Sequence, residues 1–396
     1  MLAIGKIMKT RSYGTVLGIA ALSLLTSCAS MQVVENNEPP AYEGPKVKVG
    51  LFLDKGCRGN GSWQWARLLA HCPQLDLTFL DANDIRNGKL DELQLLLCPG
   101  GSSKAQYAVM GPDGVQKVRQ FIENGGGYIG VCAGSFNTMN SEGRIALLPY
   151  DYIPNASGQL ADLAFEFDQE SAKLLDIKPG RHVMRYHGGN IMKPTEPTAP
   201  MGEAKVLAVF KSSVSGYGKA PYNFMDTPAV VLGQYGKGKV LASSCHPESY
   251  ESTHDIALGY VLAVTGVKPV PFYPAKISRP LRVGWFSLAC RGPQAAHDLL
   301  ALDNEAAFDV EIFTLHEIND GRLRHYDAIV MPNGVGLSYK NLMKNEFHKK
   351  QILDFLERGG HIVASGIAEK YLPKHDNIQI LPAGEPFAKA LKTLCK

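Results

Sequence analysis

The stretch Gly126-Gly127-Tyr128-Ile129-Gly130-Val131-Cys132-Ala133-Gly134-Ser135 decides how this 396-residue chain is read. An apolar run ending in Gly-x-Cys-x-Gly is the pattern of a strand that turns sharply into a helix. The chain must fold back tightly around a strained centre, so small residues are needed on both sides of it. Such an elbow predicts an exposed Cys132 sulfur beside a helix N-terminus, whose unpaired N–H groups favour a thiolate.

Working outward, Val47–Leu53 and Leu93–Cys98 are short continuous apolar runs, as expected for strands buried on both faces. Val115–Glu123 carries apolar residues at a helical period, and Gly125-Gly126-Gly127 stops it before the strand into Cys132. This β-α-β order predicts an α/β fold with a doubly wound, mostly parallel sheet and chemistry at the carboxyl ends of its strands.

The chain also repeats itself at an offset of 233 residues. Cys57-Arg58-Gly59 returns as Cys290-Arg291-Gly292; Ile85, Gly88 and Leu90 return as Ile318, Gly321 and Leu323; Pro99 and Gly101 return as Pro332 and Gly334. The division that follows is a first copy over 46–267, a Pro-rich semi-rigid linker over 268–280 and a second, truncated α/β copy over 281–396. At the position equivalent to Cys132 the second copy has Ser365, and Ile367 replaces the glycine the elbow needs, so this copy is expected to be degenerate and to end before any counterpart of the later strands.

The N-terminus has Lys6, Lys9 and Arg11, an apolar run from Val16 to Leu25, and then Leu25-Thr26-Ser27-Cys28. A charged region, a short apolar region and small residues read as a signal peptide over 1–27, not a membrane span. The ending resembles a bacterial lipobox, which implies lipidation of Cys28, a polar tether over 28–45 and a protein anchored to a membrane of the bacterial cell envelope, facing outside the cytoplasm. Residues 1–27 hold three cations and no anion, so the formal charge of +3 falls to about zero once they are removed. A neutral chain speaks against a nucleic-acid partner. Seven cysteines remain beyond Cys28, an odd number far below a disulfide scaffold, which leaves at least one free thiol.

A cysteine nucleophile needs a base, and the base needs a third group to fix its tautomer. His246 ends the apolar strand Lys239–Cys245, and Pro247 redirects the chain so that Glu248 can return its carboxylate to the imidazole. Cys98-Pro99-Gly100-Gly101-Ser102 ends another strand. The backbone N–H groups of Gly101 and of Ala133, just after the nucleophile, are the natural pair of donors for an oxyanion.

Gly130-Val131-Cys132-Ala133-Gly134, His246-Pro247-Glu248 and Pro99-Gly100-Gly101 together resemble the class I glutamine amidotransferase superfamily, whose sheet is flavodoxin-like. Within it, the segment from Pro99 through Val118–Gly126 to Cys132 looks most like the N-terminal domain of eukaryotic biotin–protein ligases, and Tyr186-His187-Gly188-Gly189 is similar to a Tyr-x-Gly-Gly segment of that domain. The resemblance covers roughly Lys46 to Val267. It implies Cys132 as nucleophile, His246 as base and Glu248 as its orienter, and it points to Tyr186 and His187 as substrate-binding. Biotinylation is not implied, because that activity belongs to the ligase domain. Ala133 stands where the related peptidase branch often has a histidine.

The function that follows is hydrolysis of a small-molecule or peptide amide, or a related acyl bond, through a thioacyl-enzyme. The alternative is a non-catalytic lipoprotein that keeps the fold to bind a ligand or partner. Arg58, in the loop after the first strand, could hold a substrate carboxylate, or the recurring Cys-Arg-Gly could be a turn both copies inherited. No metal-ligand spacing and no phosphate-cradling loop appear, so no cofactor is expected.

Overall fold

The computed structural model describes residues 42–154, 158–214 and 224–394. The expected signal segment, Cys28, most of the tether and Cys395 lie outside them.

Four short apolar segments form β1 (Val47–Phe52), β2 (Leu75–Leu80), β3 (Leu95–Cys98) and β4 (Gly127–Val131). They pair in parallel in the order β2-β1-β3-β4. Alternate residues serve opposite apolar layers: Leu95, Leu97, Ile129 and Val131 face one, and Leu96, Cys98 and Tyr128 face the other. The first layer is closed by the helices Asn60–Ala70 and His254–Thr265, the second by the helix Ser103–Glu123. The sheet is therefore doubly wound, and the continuous apolar runs are explained by burial on both faces. The helix before β4 starts twelve residues earlier than its periodicity implies. Gly111 (φ 67°, ψ 175°) breaks it into two pieces, and Pro112 opens the second.

The chain continues through β5 (Tyr150–Tyr152), β6 (Ala161–Phe167), β7 (Gly180–Tyr186), β8 (Met192–Pro194), β9 (Met201–Phe210), β10 (Pro228–Tyr235), β11 (Gly238–Ser243) and β12 (Cys245–His246). β11 joins β4 in parallel, and β10, β9, β6, β7 and β12 extend the sheet from it in antiparallel fashion to ten strands. β5 and β8 form a separate antiparallel pair.

The second copy supplies β13 (Leu281–Phe286), β14 (Phe308–Phe313), β15 (Ala328–Met331), β16 (His361–Ser365) and β17 (Ile378–Leu381). Its all-parallel order β14-β13-β15-β16-β17 repeats β2-β1-β3-β4-β11. The copy thus does not stop short of every later strand, because β17 occupies the place of β11. The repeat extends to single hydrogen bonds. Cys57 Sγ donates to Phe52 O and Cys290 Sγ to Phe286 O, both at 3.2 Å. Asp81 with Asp84, and Thr314 with Glu317, build equivalent capping boxes. A Cβ on Gly101 would lie 1.9 Å from Gly56 O, and one on Gly334 1.9 Å from Ala289 O, which is why both copies keep glycine there.

The copies meet through equivalent elements. Helix Asn60–Ala70 packs on helix Gly292–Asp303 and on β14, while helix Gly292–Asp303 packs on β2, the reciprocity of a pseudo-two-fold interface. One apolar layer runs through both, with Trp65 and Leu69 in the same cluster as Leu299 and Leu302. A buried clasp sits at its edge. Arg67 donates to Asp303 through Nε (3.0 Å) and Nη2 (2.8 Å), and His71 Nε2 lies 2.8 Å from the same carboxylate. Burial would raise the Asp303 carboxyl, but His71 and Arg67 outweigh it and hold it at about 2. The Pro-rich segment is tied to both copies, with Phe272 N–H donating to His71 O (2.7 Å) and Ile277 N–H to Ala306 O (3.0 Å). No helix among the described residues is long and apolar enough to cross a membrane.

Candidate active site

β4 delivers Cys132 to the carboxyl edge of the sheet, where the residue adopts φ 52°, ψ −102° and begins the short helix Ala133–Thr138. A non-glycine residue held at positive φ stores about 1–3 kcal/mol of strain, kept only where the surroundings over-determine it. Here they do. A Cβ on Gly130 would fall 2.4 Å from Gly134 O, and one on Gly134 would fall 2.0 Å from Cys98 O. Cys132 N–H also donates to Ser243 O of β11 (2.8 Å). The equivalent Ser365 is relaxed to ordinary extended backbone, φ −139°, ψ 153°.

β11 runs beside β4 with Ser243 opposite Val131, so the three residues after it turn His246 back over the same strand ends. His246 Nδ1 lies 2.7 Å from Glu248 Oε1, and Glu248 is fully buried. The imidazole also interacts with Cys132, whose Sγ donates to His187 O (3.5 Å). Burial by itself would push His246 down, but Glu248 and Cys132 outweigh it and lift the imidazole to about 10. The pair is packed on both sides by backbone without side chains. A Cβ on Gly61 would lie 2.4 Å from Glu248 Oε1, and one on Gly100 2.7 Å from His246 Cε1.

Gly101 and Ala133 both line the cleft over Cys132. Gly101 bridges Cys57 through flanking bonds only, Arg58 N–H to Gly100 O (3.4 Å) and Ser102 N–H to Gly56 O (2.7 Å). Its own N–H therefore stays out of that ladder. The loop is held to the helix after Cys132 by a polar chain. Gln106 Nε2 donates to Pro99 O (2.9 Å), and Asn137 Nδ2 donates to Gln106 Oε1 (3.0 Å).

The cleft encloses about 870 Å³. Cys132 is only 6 % exposed, less than an elbow alone implies, because the cleft walls rise around it. One wall belongs to the second copy, through Leu288, Thr314, Leu315, His316, Asn319 and His348. Arg58 and His187 line the cleft, as do Lys104, Arg144 and Arg185, which sequence reasoning missed. Partial desolvation, with His246, Arg185, His316 and Arg58 nearby, pushes His187 down to about 4, although its outer edge is open. Tyr186 requires correction. It is fully buried against Phe210 and Phe224, and its hydroxyl donates to Gly189 O (2.8 Å) and accepts from Gly158 N–H (2.9 Å). It shapes the loop that carries His187 and does not touch the cleft.

All six described cysteines are free and buried. Burial pushes Cys72, Cys98 and Cys245 up to about 12, which makes them inert thiols. No group of three or more His, Cys, Asp or Glu side chains that could hold a metal occurs among the described residues.

Residues 81–142, from the N-cap of the short helix Ala82–Arg86 through the elbow, match the family model "Biotin-protein ligase, N terminal". Over 240 residues the chain is 22% identical to a biotin–protein ligase of Schizosaccharomyces pombe, covering 52% of this chain but only 36% of that protein. An uncharacterized protein of Chlamydia muridarum is 27% identical over 222 residues, covering 51% of this chain and 80% of that one. A chain of PurLQS from Thermotoga maritima superposes with a TM-score of 0.42 at 15% identity, over 55% of this chain and 98% of that one. The chain is thus similar, across its elbow and the helices before it, to the N-terminal part of biotin–protein ligases.

Proposed function

We propose that this protein is a cysteine-nucleophile amidohydrolase acting on an amide or related acyl bond. The observation that carries the reading is the strained backbone of Cys132 facing an imidazole whose far nitrogen is held 2.7 Å from a fully buried carboxylate. A structural cysteine has no need of either. In the reaction, the Cys132 thiolate attacks the carbonyl carbon, forming a C–S bond and an oxyanion that the Gly101 and Ala133 N–H groups receive. His246 gives its proton to the leaving nitrogen as the C–N bond breaks. Water then passes a proton to His246 and attacks the thioester, the C–S bond breaks, and the acid leaves with Cys132 again a thiolate. Glu248 keeps His246 in the tautomer that presents Nε2 to the reaction.

Iodoacetamide tests the reading. Cys132 is expected to be alkylated far faster than Cys72, and His246→Ala to slow it by about tenfold or more. Equal rates at Cys132 and Cys72, indifferent to His246→Ala, would favour the non-catalytic ligand-binding protein instead.

We also infer a lipid anchor at Cys28, on the strength of Leu25-Thr26-Ser27-Cys28 and the apolar run before it. Labelled palmitate should enter the full chain expressed in bacteria and be lost in Cys28→Ala. Equal label in both would dismiss the anchor and the envelope location with it.

A further inference from the structure

Among the described residues four basic side chains line the Cys132 cleft, namely Arg58, Lys104, Arg144 and Arg185, and no carboxylate does. Three carboxylates next to lining residues are engaged elsewhere. Glu248 is held by His246, and Glu317 accepts from Thr314 and Asn60. Arg185 faces Asp162 across β6 and β7 without an ion pair within 4 Å, and that carboxylate accepts from Tyr250 Oη (2.6 Å).

Arg144 is the unusual member. It is 94% buried, since only 6 % of it is exposed, and what remains open lines the cleft. Among the described residues its only hydrogen bond is from Nη1 to Ser103 Oγ (2.8 Å), and its buried Nε has no acceptor. Its charge is faced by two rings, Phe136 at 5.6 Å and Tyr152 at 5.4 Å. Ring faces attract a cation, but they do not replace the hydration of a guanidinium that cannot discharge by losing its proton. A buried charge left in this state is completed by an anion that arrives. Phe136 lies in the helix that Cys132 begins, so this seat is built onto the nucleophile's own element.

We propose that Arg144 is the anion seat of the cleft, and that the acyl donor attacked by Cys132 carries a carboxylate or phosphate group that binds there, with Arg58 and Lys104 drawing it in from the rim. Gly59, Gly61 and Gly101 also line the cleft and offer no charge there, so the anion seat fixes which end of the donor faces Cys132. This substrate class rests on the nucleophile reading above.

Iodoacetate and iodoacetamide present the same electrophilic carbon with and without a carboxylate, and so separate the two ideas. The ratio of their alkylation rates at Cys132 is expected to exceed that for free cysteine by about tenfold at low salt and to shrink as salt is added. Arg144→Gln should cut the ratio at least about threefold, which distinguishes Arg144 from the charge of His246 itself. Because Arg144 is buried, the exposed pair Arg58→Gln/Lys104→Gln provides a second variant that should lower the ratio without threatening the fold. Protection of Cys132 by glutarate but not inorganic phosphate would identify a carboxylate donor, and the reverse a phosphorylated one. A ratio equal to that of free cysteine, unmoved by Arg144→Gln and by both protectants, overturns the proposal. It does so even where iodoacetamide labelling still depends on His246, so the nucleophile reading can survive its failure.

Discussion

Glu248→Gln is expected to lower turnover by about three to four orders of magnitude while leaving the protein folded, as loss of the orienting carboxylate does in other triads. Glu248 is fully buried and its Oε1 sits 2.7 Å from His246 Nδ1. Glutamine preserves the shape but not the charge, and its amide can present a hydrogen to Nδ1, which selects the wrong tautomer. The change has a second readout in stability. His246 is lifted to about 10 in the folded protein, against about 6.5 for an unperturbed histidine. A raised folded value means the native state binds the proton more tightly. The resulting stabilisation is fully present below about pH 6.5 and is lost as pH climbs toward about 10. Wild-type urea midpoints should therefore fall across that window. In Glu248→Gln the largest of the interactions that lift the imidazole is gone, His246 is lifted less, and the fall should flatten. A wild-type slope retained in the variant, or turnover within tenfold of wild type on an amide that Cys132→Ala cannot process, would remove Glu248 from the mechanism.

Gly101→Ala is expected to cost about 4 kcal/mol of stability, in the range reserved for clashes that cannot relax. Gly101 has φ 140°, a region L side chains avoid, and the added methyl would sit 1.9 Å from Gly56 O and 3.0 Å from Arg58 N. Both obstacles are backbone, so no rotamer relieves them. The two flanking hydrogen bonds must part, and the Gly101 N–H moves with them. Gly334→Ala meets the same obstacle, 1.9 Å from Ala289 O, but in the copy without an elbow. It should destabilise comparably while the folded fraction retains its activity. Urea unfolding and turnover on both variants check this, and a Gly101→Ala protein within about 1 kcal/mol of wild type would contradict it.

How much of this was legible beforehand depends on whether the cause is local. The elbow is compact in sequence: Gly130 is forced by Gly134 O within one turn and Gly134 by Cys98 O at the end of the adjacent strand, so three close positions carry it openly. The repeat is legible because Cys57, Gly88 and Gly101 fill backbone roles that admit few substitutes. His246 and Glu248 could be paired because Pro247 fixes the turn between them. The first half of the helix Ser103–Glu123 was hidden by the Gly111-Pro112 break, which interrupts its period. The antiparallel strands β6 and β7 mix buried with half-buried and exposed positions and give no continuous apolar run. Arg144 is the instructive case. Its neighbours Ser103, Phe136 and Tyr152 converge only after folding, and a single arginine after a glycine has no pattern of its own. Composition misled in the same way, since a chain with a formal net charge of only +3 concentrates cations in one cleft.

The apolar layer shared by the two copies has a consequence for how the molecule comes apart. Trp65 and Leu69 are buried in the same cluster as Leu299 and Leu302, so neither half can open without wetting the other. Melting is then expected to be a single cooperative event, so the half without an elbow shares in setting the temperature at which the other stops working. That gives the copy without an elbow a thermodynamic duty beside the wall it lends the cleft.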